Sequence, residues 1–122
     1  MPRRILLTGG AGFIGSSVLD ALVRRGDRVT VVDDFNDFYA PAVKRENIAA
    51  ALASGRARVA EGDVRDGGLW ARIDPAEHDA IVHLAARAGV RPSLRDPSLY
   101  VSTNVEGTAR ALEWACRVPE PL

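Results

Sequence analysis

The chain has 122 residues, which limits it to one domain of sufficient size to bury a hydrophobic core. Hydrophobic residues make up 47% and charged residues 26% of the sequence, a globular composition that excludes intrinsic disorder. Sixteen basic side chains balance sixteen acidic ones, so the charge gives no indication of a nucleic-acid or membrane partner. The single cysteine, Cys116, excludes an intrachain disulfide and a cysteine-rich metal site.

The first part of the chain predicts a strand, a helix and a second strand. Residues 4–8 form a short apolar run, which indicates a buried strand and is too short for a signal peptide or a membrane span. Apolar residues recur at helical spacing from 13 to 25, and Gly26 is placed to end that helix. Residues 28–34 are rich in β-branched side chains and indicate a second strand. We expect a cytoplasmic protein.

The middle of the chain continues the alternation. Pro41 is placed to open a helix over about 42–54. Residues 57–64 predict a third strand, and a short helical turn follows at 66–73. The continuous apolar run at 79–86 predicts a fourth strand suited to burial on both faces.

The last part of the chain predicts a loop over 87–98 and a helix over about 98–117, which has to end before Pro119. Strands that alternate with helices indicate an α/β fold, a doubly wound parallel sheet of about four strands with right-handed crossovers. We expect the Rossmann-like strand order 3-2-1-4. Residues 1–122 carry no internal repeat or linker, and we expect them to form the N-terminal portion of one nucleotide-binding domain.

Four glycines separate the first strand from the first helix. Gly9, Gly12 and Gly15 fit the pattern G-x-x-G-x-x-G, whereas Gly10 with the last two fits G-x-G-x-x-G. Glycines between a strand and a helix are typical of a turn that presents backbone amides and a helix N-terminus to a dinucleotide diphosphate. The alternative is a tight turn with no ligand, which this many glycines would make entropically expensive.

Carboxylates follow the predicted second and third strands. Asp33 is placed to hydrogen-bond the adenosine ribose, and its charge would repel a 2′-phosphate, which favours NAD over NADP. Asp63 is either a contact of the adenine ring or a helix N-cap. His83 lies in an apolar strand, where a packed histidine is more common than a metal ligand, and we expect no metal site.

The stretch "TGGAGFIG" resembles the T-G-x-x-G-x-x-G signature of extended short-chain dehydrogenases, which selects the phrasing that begins at Gly9. The stretches "VVDD", "GDV", "HLAA" and "YVSTNVEGT" resemble further segments of that family in the same order. The resemblance covers essentially the whole chain, as the N-terminal part of an NAD-dependent nucleotide-sugar epimerase or dehydratase. Within the family, "DDFNDFYAPAVKREN" is most similar to UDP-glucuronate 4-epimerases.

The resemblance implies NAD contacts along most of the chain. The glycine turn would hold the pyrophosphate, the end of the second strand the ribose, and the end of the third strand the adenine. The fourth strand and the last helix would flank the rest of the cofactor. The implied residues are Gly9, Gly12, Phe13, Ile14, Gly15, Asp33, Asp34, Asp63, Val64, Leu84, Ala85, Ala86 and Asn104.

For two residues, the role that the resemblance implies has an alternative. Asp34 stands where the family usually has asparagine, so its contact is an open question. Arg91 is a candidate contact for a UDP-sugar substrate, and the alternative is a solvated loop arginine.

The resemblance also implies a reaction and the group that performs it. In this family NAD takes a hydride from C4 of the sugar and returns it to the other face, while a tyrosine in Y-x-x-x-K removes the hydroxyl proton. Here Tyr39 is followed four positions on by Val43, and Tyr100 by Asn104. The only lysine, Lys44, is predicted to be a solvated residue of the second helix.

Because no residue fills the catalytic positions, we expect a truncated epimerase that binds NAD and is inactive alone. The alternatives are a non-catalytic half-domain completed by another chain and a degraded gene product without a stable fold. The open edge of the fourth strand predicts self-association or a partner chain that supplies the missing half.

Overall fold

Four parallel strands form the centre of the computed structural model, which describes residues 2–119. The order β3-β2-β1-β4 confirms the predicted order 3-2-1-4. In the ladder, Arg4 pairs with Arg28 across β1 and β2, and Ile5 pairs with Ala80 across β1 and β4. The strands are β1 (Arg4–Thr8), β2 (Arg28–Asp33), β3 (Ala57–Glu61) and β4 (Ala80–His83).

Helices cover both faces of this sheet. As predicted, the first helix ends at Gly26, which has a left-handed φ of 97°, and the second begins at Pro41. The helices are α1 (Phe13–Arg25), α2 (Pro41–Ala53), α3 (Gly67–Ala71), α4 (Val90–Arg95), α5 (Pro97–Val101) and α6 (Gly107–Ala115). None of the helices within residues 2–119 is long and apolar enough to cross a membrane.

Each face of the sheet has its own hydrophobic cluster, because neighbouring residues in a strand point to opposite faces. Leu6 packs into the cluster that contains Trp70 and Trp114, whereas Leu7 packs into the cluster that contains Leu19 and Ile48. Both buried indole N–H groups donate a hydrogen bond of 2.8 Å to a backbone carbonyl oxygen, so neither tryptophan leaves a polar group unpaired. A hydrophobic cluster therefore packs against each face of the sheet.

The fourth strand is shorter than predicted and ends at His83 instead of residue 86. The hydroxyl oxygen of Thr8 accepts hydrogen bonds from the backbone N–H groups of Leu84 (3.0 Å) and Ala85 (3.1 Å), which turns the chain across the end of the sheet. The strand is also half-buried, not buried on both faces, because β4 is the outer strand of the described sheet.

The segment after β4 differs most from the sequence-based prediction. The predicted loop contains α4, in which Pro92 occupies the third position, within the first turn, where a proline is tolerated. The predicted single helix over 98–117 is divided into α5 and α6 by a π-helical turn, Ser102–Glu106. This turn places Asn104 opposite the backbone of Arg87.

Candidate functional site

A cleft of about 360 Å³ lies at the carboxyl ends of the strands. In open α/β sheets, ligands bind at this edge, next to the point where the strand order reverses. Here that point lies between β1 and β4. The predicted cofactor residues that line the cleft are Gly9, Gly12, Phe13, Ile14, Gly15, Asp33, Asp34, Asp63, Val64, Leu84, Ala85 and Ala86.

The glycine turn folds as the phrasing from Gly9 requires. Gly9 has a φ of +72°, and a Cβ there would lie 2.8 Å from the backbone nitrogen of Ala85. A Cβ at Gly15 would lie 1.9 Å from the carbonyl oxygen of Gly9, which only glycine avoids. Gly10 does not line the cleft, and the atoms nearest to a Cβ there would belong to the side chains of Val31 and Leu7. Gly9 and Gly15 are therefore required by the fold itself.

Gly12 has a different reason to be glycine. A Cβ there would meet only the carbonyl oxygen of Gly9 at 3.4 Å and the Tyr39 hydroxyl at 3.7 Å, which are ordinary contacts. Gly12 precedes α1, and among residues 2–119 no side chain caps this helix. The first-turn N–H groups of α1 therefore lack intrahelical partners beside an open surface, an arrangement that fits an anionic diphosphate.

Asp33 ties the glycine turn to the loop after β2. Its carboxylate accepts hydrogen bonds from the backbone N–H groups of Ala11 (3.1 Å) and Phe35 (2.9 Å). The second bond stabilises Phe35 at a φ of 51°, in the left-handed region that non-glycine residues rarely adopt. Each carboxylate oxygen retains a second acceptor site, so Asp33 can still accept a hydrogen bond from a ribose hydroxyl.

Lys44 is buried in this cleft, and the prediction that it is solvated is wrong. Its side chain lies with Nζ 3.9 Å from Oδ1 of Asp33 and 5.1 Å from the centroid of the Tyr39 ring. The sequence contained a signal for this position. Lys44 is four residues before Ile48, a core residue, so both share the inner face of α2.

Tyr39 and Lys44 are neighbours in space, but they do not replace the missing catalytic pair. A catalytic tyrosine needs a lowered pKa, whereas burial and the charge of Asp33 raise the pKa of Tyr39. The Tyr39 hydroxyl donates a weak hydrogen bond of 3.4 Å to the carbonyl oxygen of Ala11, in the glycine turn. The pair therefore belongs to the part of the cleft beside Asp33.

The acidic residues after β2 and β3 already have partners. The Arg65 guanidinium binds the Asp63 carboxylate (Nη2 to Oδ2, 2.6 Å) and lowers the pKa of Asp63. The alternative role of Asp63 as an N-cap is wrong, because Asp66 caps α3 by accepting a hydrogen bond from the N–H of Gly68 (2.8 Å).

Asp34 is exposed and accepts hydrogen bonds from the backbone N–H and the side-chain amide of Asn36. Val64, by contrast, is buried.

A hydrogen-bonded chain fixes the β4 side of the cleft. The Thr8 hydroxyl oxygen accepts from the backbone at 84 and 85, so its own hydrogen is donated to Nδ1 of His83 (2.6 Å). His83 is then neutral, with Nε2 protonated and 3.3 Å from the Thr108 hydroxyl. Burial lowers the pKa of His83, in agreement with this neutral form. Among residues 2–119, no group of three or more His, Cys, Asp or Glu side chains is placed to hold a metal ion.

Two predicted site residues lie outside the cleft lining. The Asn104 side chain accepts a hydrogen bond from the N–H of Arg87 (2.7 Å) and donates one to its carbonyl oxygen (3.1 Å). Asn104 thus holds the loop that lines the cleft, and direct contact with a cofactor stays a prediction. Arg91 is exposed on α4, so its role toward a substrate also stays a prediction.

Sequence reasoning missed several residues of the cleft, most of them on loops whose course the local sequence does not define. Thr103 is one of them, and its buried hydroxyl has no hydrogen-bond partner within the described residues. A buried hydroxyl without a partner is unfavourable for stability. The residues missed are Val32, Asn36, Phe38, Tyr39, Lys44, Gly62, Arg87, Ala88 and Thr103.

The described fold is similar to the N-terminal part of solved epimerases. The UDP-glucuronic acid 4-epimerase of Bacillus cereus, in complex with UDP-glucuronic acid and NAD, is 33% identical with a TM-score of 0.81. The match covers 91% of this chain and 35% of that one. The UDP-glucose 4-epimerase of Thermus thermophilus, in complex with NAD, is also 33% identical, with a TM-score of 0.78 over 94% of this chain and 34% of that one.

Curated relatives agree with the solved structures. UDP-glucuronate 4-epimerase 3 of Arabidopsis thaliana is 43% identical over 120 residues, which cover 96% of this chain. The chain spans about a quarter of that relative's length (27%). The model of the NAD dependent epimerase/dehydratase family matches residues 5–120, almost the entire chain, and the chain therefore belongs to this family.

Proposed function

We propose that this chain is the NAD-binding portion of a UDP-glucuronate 4-epimerase-like enzyme. The observation that carries the proposal is the buried carboxylate of Asp33 beside the glycine turn, with a second acceptor site free on each oxygen. The open surface at Gly12 and the uncapped start of α1 support a diphosphate on one side of this carboxylate. Asp33 then takes a ribose hydroxyl next to that diphosphate.

The residues of this chain bind and orient the cofactor rather than perform the proton transfer. When bound, NAD supplies a reversible hydride acceptor for the C4 position of a UDP-sugar. Neither of the chain's tyrosines has a lysine four positions on, since Tyr39 is followed there by Val43 and Tyr100 by Asn104, and burial raises the pKa of Tyr39. The 122 residues alone are therefore expected to bind NAD without epimerising a sugar.

NAD binding is measured by titration calorimetry on the wild type and two variants. Asp33→Ala should weaken NAD binding about tenfold or more, since a hydrogen bond to a charged group contributes about 1.5–3 kcal/mol. Asp20→Ala is the matched control, because this carboxylate is exposed on α1 and does not line the cleft. A wild-type chain without affinity for NAD, or equal losses in both variants, would contradict the proposal.

Catalysis is tested with UDP-glucuronate and saturating NAD, by chromatography of the sugar nucleotides. The expected result is no epimerised product from the 122-residue chain. Product formed by this chain alone would overturn the assignment of the catalytic groups to residues outside it.

A second candidate function is a non-catalytic half-domain that another chain completes. The outer position of β4 in the described sheet favours it, because an edge strand can pair with a further strand. Epimerase activity that appears only when a second chain is added would support this candidate. Binding of a UDP-sugar, self-association and a cytoplasmic location stay predictions.

A further inference from the structure

We infer that Lys44 is a second determinant of dinucleotide choice beside Asp33, because it sets how strongly the ribose end of the cleft rejects a 2′-phosphate. The inference rests on the proposed binding of NAD and extends it to the choice between NAD and NADP. Lys44 is neither one of the glycines of the turn nor the acid expected to bind the ribose.

The first support is the position of the ammonium group. Lys44 is 5% exposed and Asp33 is 7% exposed, so both charges lie where solvent screens them little. Their closest atoms, Nζ and Oδ1, are 3.9 Å apart, which is ionic contact without a hydrogen bond. Both residues line the cleft, so a group bound at the carboxylate also comes close to the ammonium.

The second support is the charge that surrounds this pair. Arg45, the next residue on α2, is engaged elsewhere, since its guanidinium stacks on Phe35 and pairs with Glu61. Asp34 is exposed, where water weakens its field. Within residues 2–119, Lys44 is thus the only cation paired with Asp33, and the local charge of the pair is zero.

A neutralised carboxylate rejects a phosphate less than a bare one. A bare buried carboxylate repels the negative charge of a 2′-phosphate with little screening. Lys44 offsets that repulsion, so removing the lysine should increase the preference for NAD. Removing the carboxylate instead leaves the ammonium without its partner at the ribose end, where it would attract a 2′-phosphate.

If Lys44 served only to pack α2 against the sheet, its removal would not distinguish the two dinucleotides. A purely structural defect lowers the concentration of competent protein and reduces binding of NAD and NADP by the same factor. The ratio of the two dissociation constants is therefore the informative measurement. It is unaffected by a partly unfolded sample.

The experiment measures the dissociation constants of NAD and NADP by calorimetry at pH 8 and low salt. The proteins are the full chain, K44M, D33S and the double variant D33S/K44M. We expect K44M to raise the preference for NAD over NADP about tenfold. D33S should gain affinity for NADP and so reverse the preference. The double variant should lose the NADP affinity that D33S gains. Arg45→Met is the matched control, with an unchanged ratio.

Each alternative result has a definite meaning. Equal changes for NAD and NADP in K44M, or a double variant that keeps the NADP affinity of D33S, would overturn the role of Lys44 and leave the proposed NAD binding intact. A wild-type chain that binds neither dinucleotide would overturn the proposed function, and this inference with it. Added salt should reduce the effect of K44M, since the effect is electrostatic.

Discussion

Single glycines in the turn after β1 serve two different physical purposes. At Gly15 the backbone of Gly9 fills the space that a Cβ would need, so the helix and the turn touch directly. At Gly12 the corresponding space is open to the cleft. The first glycine is therefore needed for folding, and the second is available for a ligand.

Alanine at these two positions should separate stability from binding. Gly15→Ala should lower the free energy of unfolding by about 3 kcal/mol or more, because the methyl group overlaps the Gly9 carbonyl. Gly12→Ala should change the unfolding free energy by less than about 1 kcal/mol, yet weaken NAD binding about tenfold or more, because the methyl group takes the place of the diphosphate. Denaturant unfolding and calorimetry measure the two quantities.

The pair of variants also tests the assignment of the turn. Gly12→Ala protein that binds NAD as tightly as the wild type would show that the diphosphate lies elsewhere. Gly15→Ala protein of wild-type stability would show that the close contact between α1 and the turn can relax.

At the scale of elements, the end of β4 depends on a contact between residues far apart in the chain. The Thr8 hydroxyl, which accepts hydrogen bonds from the backbone N–H groups of Leu84 and Ala85, donates its own hydrogen to Nδ1 of His83. A protonated imidazole has no acceptor, so this contact requires neutral His83. Segment 84–86, which lines the cleft, is therefore coupled to the charge of one histidine.

The stability of the chain should consequently fall in mild acid. Burial lowers the pKa of His83, and of His78, below the ordinary value of 6.5. Near pH 6.5 the unfolded chain therefore binds more protons than the folded chain. The contribution of these two histidines to the free energy of unfolding is complete above pH 6.5 and is lost as the pH falls below it. Denaturant unfolding at several pH values between 8 and 5 measures this slope.

The variant His83→Asn isolates the contribution of His83. Asparagine keeps an acceptor near Thr8 but does not titrate, so the loss of stability below pH 6.5 should become smaller, while the part from His78 remains. Carboxylates with lowered pKa, such as Asp63 and Asp79, act only near or below their ordinary value of 3.8, outside this window. Identical slopes in wild type and variant would contradict the role of His83.

At the scale of the whole molecule, the described sheet ends at β4. The strand is only half-buried, and its outer backbone groups have no neighbouring strand within residues 2–119. The opposite outer strand, β3, is linked to α2 by the ion pair of Arg45 and Glu61. Both outer strands therefore leave one backbone edge without a neighbouring strand among the described residues.

We therefore expect the isolated 122-residue chain to self-associate. An unpaired strand edge forms hydrogen bonds with a second chain, which should produce dimers or larger species as the concentration rises. Light scattering over a wide concentration range measures this directly. A monodisperse monomer throughout that range would contradict the prediction.

The local sequence was sufficient to predict the class of fold and most of the residues that line the cleft. Apolar patterns identified the strands and helices, because each pattern reports which residues of one element face the core, and the strand order followed from the expected Rossmann-like fold. The glycine pattern and Asp33 predicted a cleft at the ends of β1 and β2, because the carboxyl ends of parallel strands meet there. These features are local in sequence and needed no knowledge of distant contacts.

Packing between distant elements determines which further side chains line the cleft. Lys44 is buried because α2 packs its inner face against the sheet and brings the lysine to Asp33, eleven positions earlier. Segment 84–86 leaves β4 because Thr8, more than seventy residues away in sequence, holds its backbone. Asn104 bonds to Arg87 because a π-helical turn interrupts the last helix. In each case the partner residue is contributed by another element, and a local pattern does not identify which element that is.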